Sequence, residues 1–142
     1  MSQEFDRQNS FGWMINVVAN KASKDFDIEL KQHGLSLALW PTLMYLWEEE
    51  GITQRDIAAK SKVENSTTTR TLDKLAKLEL VERRADPNSR RSFRIYLTEK
   101  GKALEEQLVP IPIRLNKELM NELDAEEQQQ MIKLLQKMVA AI

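Results

Sequence analysis

Apolar residues recur along this chain at two periods, and the change from one to the other marks its organisation. Phe11, Met14, Ile15, Val18, Ala22, Phe26 and Leu30 return every three or four residues, the spacing of one face of an α-helix. They predict a long amphipathic helix from Phe11 to about Gln32, which Gly34 ends in the usual helix-stopping position. Residues 1–8 before it are polar and expected to fray. Leu39, Trp40, Leu43, Leu46 and Trp47 predict a second helix, Leu37 to about Glu49, with Ser36 as its cap. Pro41 falls inside it and is expected to leave one carbonyl unpaired or to bend the axis. Gly51 closes that helix, and Ile52 is placed to make a one-residue edge contact with a later strand.

Two short helices follow. Thr53 and Asp56 are spaced so that the hydroxyl accepts the Asp56 amide while the carboxylate faces the positive end of the helix, which starts a helix over Gln54 to about Ser61. After a connection at Lys62–Glu64, a helix from Asn65 or Ser66 to about Leu78 sets Leu72, Leu75 and Ala76 on one side and Thr67, Arg70, Lys74 and Lys77 on the other. Then the period becomes two. Leu80–Ala85 is one strand, and Ser92–Leu97 alternates Phe93, Ile95 and Leu97 with Arg94 and Tyr96, as a half-buried strand does. Asp86-Pro87-Asn88-Ser89 between them suits a type I turn, and Arg90-Arg91 places two guanidiniums at the hairpin tip.

The helical period then returns. Thr98 caps a helix from Glu99 to about Glu122 through Leu104, Leu108, Ile111, Leu115 and Leu119, with a kink or break expected at Pro110 and Pro112. Asp124 caps a last helix, Ala125–Ala140, striped by Met131, Leu134, Leu135 and Met138. The fold class is therefore mainly α with a small β-hairpin wing (α+β): a winged helix-turn-helix with N- and C-terminal dimerisation helices. We read 1–142 as a single domain, with 36–98 as the DNA-binding module and 9–33 and 99–142 as the helical dimerisation region. The apolar stripes of those outer helices are wider than so small a module can cover, which implies packing against a second copy.

Charge sharpens this picture. The chain's net charge is −1, yet it divides into 6 basic and 9 acidic groups before residue 62, 11 and 6 over 62–102, and 4 and 7 thereafter. The positive excess lies on the two-helix and hairpin segment, and it is such a local patch that meets phosphate. Ser66, Thr67 and Arg70 offer short hydroxyls and a guanidinium to base edges in a major groove. Arg90 and Arg91 suit a narrow minor groove. The absence of cysteine excludes disulfides, thiolate metal sites and thiol redox switching within the chain. No apolar run of membrane-spanning length and no signal-peptide pattern is present, so a soluble, cytoplasmic protein is expected. There is no glycine-rich phosphate loop, no cysteine nucleophile and one histidine without a placed partner, so neither an enzyme nor a metal or cofactor site is expected.

The wording of residues 34–104 resembles the MarR family of transcription regulators. Gly34-Leu35-Ser36 leads to Trp40 and Leu43; Gly51-Ile52-Thr53-Gln54 precedes Ile57-Ala58; Thr69 to Leu75 reads Thr-Arg-Thr-Leu-Asp-Lys-Leu. Leu80 to Arg84, Asp86-Pro87, Arg90-Arg91 and Leu97-Thr98-Glu99-Lys100-Gly101 complete the likeness. It implies a homodimer that binds a palindromic operator in double-stranded DNA, usually to repress, often released by a small aromatic or phenolic ligand. Carried over by position, Gln54, Ser66, Thr67, Arg70, Thr71, Lys74, Arg90 and Arg91 form the DNA-binding set. Trp13, His33, Trp40 and Met44 form a candidate effector site, against which stands the plainer reading of aromatic and Met residues as core. Ser89 replaces the usual Asp before the two arginines, which predicts a looser wing. Glu79 replaces the usual Gly after the reading helix, at a cost on the order of 1 kcal/mol if the left-handed conformation is kept. The competing function is a winged-helix dimer that serves as a protein-interaction module without specific DNA reading.

Overall fold

A computed structural model describes residues 5–61 and 64–142, with the backbone alone at residue 65. The long first helix, α1 (Phe11–Gln32), begins at Ser10, whose hydroxyl accepts the Trp13 amide. It ends as predicted: Gly34 takes φ +75°, and the Gly34 and Leu35 amides return to the Lys31 and Leu30 carbonyls at 3.1 and 3.0 Å. These paired bonds satisfy two carbonyls that the helix end leaves open. Of the residues 1–8 expected to fray, 1–4 lie outside the described residues. Asp6 caps a 3₁₀ turn over Arg7–Asn9, and the Arg7 guanidinium lies 4.7 Å from the Trp13 ring centroid.

The second helix begins later than its apolar spacing suggests. Leu37–Leu39 form a 3₁₀ turn, and α2 runs only over Trp40–Glu48. Ser36 does not cap through its side chain; Asp27 of α1 instead accepts the Leu37 amide at 2.9 Å. This shift puts Pro41 in the first turn of α2, where no intrahelical partner for its missing N–H is needed, so the expected bend does not arise. After Gly51, β1 (Ile52–Thr53) pairs antiparallel with β3, Ile52 opposite Ile95 and Thr53 opposite Arg94. Ile52 is thus half of a two-residue strand.

The helix pair α3 (Gln54–Ser61) and α4 (Asn65–Lys77) keeps the expected bounds; Lys62 and Val63 of the connection lie outside the described residues. Thr53 and Asp56 form a reciprocal cap, each backbone N–H donating to the other's side chain at 3.1 Å. α4 closes as α1 does, the Glu79 and Leu80 amides returning to Ala76 and Leu75 at 2.9 and 3.0 Å. Here the left-handed position falls on Glu79, at φ +62°.

The hairpin comprises β2 (Val81–Asp86), shifted one residue toward the tip from its predicted span, and β3 (Ser89–Leu97), which ends where predicted but begins earlier, at Ser89; the sheet order is β1-β3-β2. Beyond it stand α5 (Glu99–Leu108), α6 (Pro110–Leu119) and α7 (Ala125–Ala140). The break expected at the prolines falls at Val109, which remains helical at φ −59°, ψ −36° and donates to the Glu105 carbonyl at 3.0 Å. Two helices therefore meet in a kink without a loop. α7 carries a full capping box, with Asp124 and Glu127 exchanging side-chain and backbone bonds.

The core joins these layers through buried Leu30, Leu43, Leu46, Ile57, Leu72, Leu75, Ile95 and Leu108. Its tightest approach is at Gly101, where an added Cβ would lie 2.2 Å from the Leu80 carbonyl oxygen. Trp47 Nε1 donates to the Gly101 carbonyl at 3.0 Å, and Thr98 Oγ1 accepts the Gly101 amide at 3.1 Å.

Two substitutions should move stability in opposite directions. Glu79→Gly relieves the left-handed strain and is expected to raise unfolding free energy by about 1 kcal/mol; Gly101→Ala must displace backbone and should cost about 1–3 kcal/mol. Urea denaturation of both variants, read at the midpoint with the slope unchanged, measures each.

Candidate nucleic-acid interface

Five arginines crowd the hairpin, and the fold separates them by what they touch. Arg83 Nη2 reaches from β2 to Asp73 Oδ1 on α4 at 2.6 Å and to the Thr69 carbonyl at 3.4 Å. Arg84 pairs with Glu82 and stacks over the Tyr96 ring at 4.0 Å. Arg94 Nε donates to Asp86 Oδ1 at 3.2 Å and its Nη1 to the Gly51 carbonyl at 2.9 Å. These three hold the hairpin to itself and to the helices. Arg90 and Arg91 are exposed and, among the described residues, form no ion pair.

The register explains why those two stand apart. Ala85 opposes Phe93, but the next residue, Asp86, opposes Ser89, so Arg90, Arg91 and Ser92 form an insertion on β3 without ladder partners. Such a bulge bends and twists its strand. The arginines consequently lie on the bulged arm just after the tip, not at the tip itself. Ser89, lacking the carboxylate usual in the family, accepts the Arg91 amide on its hydroxyl at 3.3 Å. Asp86 supplies the anchoring carboxylate instead: it accepts the Asn88 amide at 3.0 Å as well as Arg94. Its carboxyl is held below the usual aspartate range, chiefly by the Asn88 N–H and then by Arg94, with burial opposing.

On α4, Leu72 and Leu75 face the core while Ser66, Thr67, Arg70, Lys74 and Lys77 are exposed. Thr71 is half-buried, and Thr67, Arg70, Thr71 and Lys74 line one groove with Ala38 and Leu39. Among the described residues, Arg70, Lys74 and Lys77 form no ion pair. Gln54 is placed differently: half-buried, its Nε2 donates to Thr69 Oγ1, tying the start of α3 to α4. Sequence reasoning passed over Arg83 and Arg94 as fixing residues, because the partners of Arg83 lie on α4 and those of Arg94 on β2 and at Gly51. It also passed over exposed Arg55, which shares a cleft with Thr53, Gln54, Arg91, Ser92 and Phe93.

The four candidate effector residues are not gathered in one place. Trp13 packs with Arg7 near the start of α1, whereas Trp40 meets Phe26 at 4.8 Å and Trp47 at 5.4 Å between ring centroids. Trp13 and Phe26 are roughly 20 Å apart along the helix axis at 1.5 Å per residue. His33 is the exposed C-cap of α1, and Met44 is half-buried on α2. An apolar cleft between α1 and α6, about 120 Å³, is lined by Ala22, Phe26, Leu37, Pro112, Leu115 and Leu119 and takes none of the four. No cluster of His, Asp or Glu able to hold a metal ion occurs among the described residues, and none of their helices is long and apolar enough to cross a membrane.

A short helix braced against an exposed, cation-lined helix, with an arginine-bearing hairpin beside it, defines a winged helix-turn-helix module. The MarR family model matches residues 35–93, within this module and its approach. Over 110 residues, 78% of this chain and 76% of the relative, the chain is 29% identical to the HTH-type transcriptional regulator BilQ of Clostridium symbiosum. A solved MarR transcriptional regulator from Methanosarcina mazei Go1 superposes with TM-score 0.87 at 28% identity, over 92% of this chain and 94% of that one. A mutant MarR from E. coli complexed with operator DNA superposes with TM-score 0.86 at 28% identity, over 96% and 99%. Residues 35–93 carry a MarR-family domain, and the chain is similar in sequence and fold to transcriptional regulators of that family.

The Asp86 anchor makes acid sensitivity predictable. A carboxyl whose folded pKa is depressed contributes stability above its unfolded pKa and loses it as pH falls through the lowered folded value. Wild type should therefore exceed Asp86→Asn in urea midpoint most at pH above the usual aspartate range, the gap closing as pH falls through and below that range. A gap that stays constant over that range would remove Asp86 ionisation as its source.

Proposed function

We propose that this protein is a cytoplasmic transcriptional repressor that binds a palindromic operator as a homodimer. α4 of each protomer enters the major groove, and Arg91, with Arg90 beside it, enters the adjacent minor groove. The observation that carries this reading is the division of cations: Arg83, Arg84 and Arg94 are engaged internally, whereas Arg70, Lys74, Arg90 and Arg91 face solvent on α4 and the wing. Ser66, Thr67 and Arg70 at the start of α4 read bases; Thr71 and Lys74 support that face, and Gln54 acts through its bond to Thr69.

Dimerisation through residues 9–33 and 99–142 is supported by apolar side chains left exposed at both ends of the chain. Trp13, Met14, Val17 and Val18 of α1 are 39–50% exposed, and Met131, Leu134, Met138 and Val139 of α7 are 43–64% exposed. Pairing two copies also sets two α4 helices on half-sites about one DNA turn apart, roughly 34 Å, so that modest contacts multiply. A small aromatic ligand acting as inducer completes the proposal. Trp40 and Met44, four residues apart on one face of α2, are the part of the candidate set best placed to meet it.

Fluorescence anisotropy with the protein's own upstream DNA and random competitor tests the reading. Sequence-preferring, salt-sensitive binding that salicylate weakens is expected. Arg70→Ala should abolish or relax operator preference, while Lys77→Ala should weaken binding to all DNA about equally. Replacing Arg91 should cost most on A/T-rich flanks. Equal, small effects from Arg70→Ala and Lys77→Ala would displace the reading face from α4.

A further inference from the structure

We infer that Arg55 grips a backbone phosphate of the DNA strand that separates the two grooves, the strand lying across the first turn of α3. The inference rests on the placement of α4 and the wing proposed above and adds a contact that neither supplies. Residues 53–55 occupy the space between those two elements. On one side the Gln54 side chain donates to Thr69 of α4. On the other, Thr53, Gln54 and Arg55 form a cleft with Arg91, Ser92 and Phe93 of the wing. A duplex that gives its major groove to α4 and the neighbouring minor groove to Arg91 must carry the intervening sugar–phosphate chain between them. That path crosses the cleft, and because successive phosphates of one strand rise only about 3.4 Å along the duplex axis, one comes within reach of the Arg55 side chain.

The side chains in the cleft suit that occupant. Arg55 is exposed and, among the described residues, has no ion pair, so its guanidinium is available for the two-pronged hydrogen bonding that phosphate favours. The neighbouring carboxylate does not compete for it: Asp56 accepts the Thr53 amide at 3.1 Å, directed at the backbone of the preceding residue. Phe93 is 47% exposed and supplies an apolar wall for the deoxyribose attached to the same phosphate. Arg55 reads no base. Its effect is to seat the duplex and to fix how far the wing stands from the major-groove helix.

Anisotropy titrations of the full chain on an operator duplex at several KCl concentrations test this. Arg55→Ala should lower the log–log salt slope by about 0.9 for each copy bound and weaken binding roughly fivefold per copy near 0.15 M salt, with the ratio of operator to random-sequence affinity unchanged. Phe93→Ala should weaken binding with the slope intact. A duplex carrying a neutral methylphosphonate at the phosphate between the grooves should reproduce the Arg55→Ala loss, and the two changes together should cost no more than either alone. An unchanged slope in Arg55→Ala, alongside losses from Arg70→Ala and Arg91→Ala, would overturn the phosphate contact while leaving the groove assignments standing. If none of the three arginines matters, the placement of the duplex itself fails and the inference fails with it. A circular-dichroism melt of Arg55→Ala matching wild type confirms that the comparison is between folded proteins; a lowered melt with an unchanged slope also counts against the contact.

Discussion

The carbonyl of Leu80 is the point on which the architecture turns. It accepts the Thr98 amide at 3.0 Å and sits where only a glycine at position 101 leaves it room. Leu80 is also the residue whose amide closes α4 and whose successor begins β2. At this one site the end of the reading helix, the root of the hairpin and the start of α5 are held at van der Waals contact, and Trp47 binds α2 to the same backbone. Close-packed junctions of this kind transmit displacement instead of absorbing it. α5 continues through the kink at Val109 into α6, so a change in how the terminal helices are set would reach α4 through a short, stiff route.

A second connection runs from the other end. Arg114 of α6 pairs with Glu29 of α1 and with Glu118, while Asp27, two residues before Glu29, accepts the Leu37 amide ahead of α2. The α1–α6 pair is thereby fastened to the module by polar bonds on one side and by the Leu80–Gly101 packing on the other. The apolar cleft between α1 and α6 is lined by Ala22 and Phe26, which precede Asp27 and Glu29 on α1, and by Leu115 and Leu119, which follow Arg114 on α6.

Much of this was legible from residue spacing. The bounds of α1, α3, α4 and α7 and the cap at Thr53 follow from local periodicity and from the chemistry of helix ends, whereas the left-handed position at Glu79 is suggested by the likeness to the MarR family, where Gly is usual. Pro41 does not bend α2 because Asp27, ten residues before the Leu37 amide that it accepts, organises a 3₁₀ turn that delays the start of the helix; no local pattern announces that bond. Nor could spacing separate the five hairpin arginines. Their fates depend on a three-residue insertion and on carboxylates brought across the sheet or from α4, so residues of one type and similar spacing became two braces, one guanidinium stacked on Tyr96 and two exposed cations. Gln54 shows the same limit: its position in the chain suits a DNA contact, and its side chain is turned toward Thr69. The tryptophans were grouped by type, whereas a straight helix keeps Trp13 and Trp40 far apart.

The sheet order has a consequence for assembly. β2 is an outer strand, with one row of backbone groups unpaired, and such a margin invites strands from other chains to add to it. This one is short and lined with Glu82, Arg83, Arg84 and Asp86, Pro87 follows at once, and the insertion on β3 twists the tip out of plane. Self-association by strand addition is thereby discouraged at the wing.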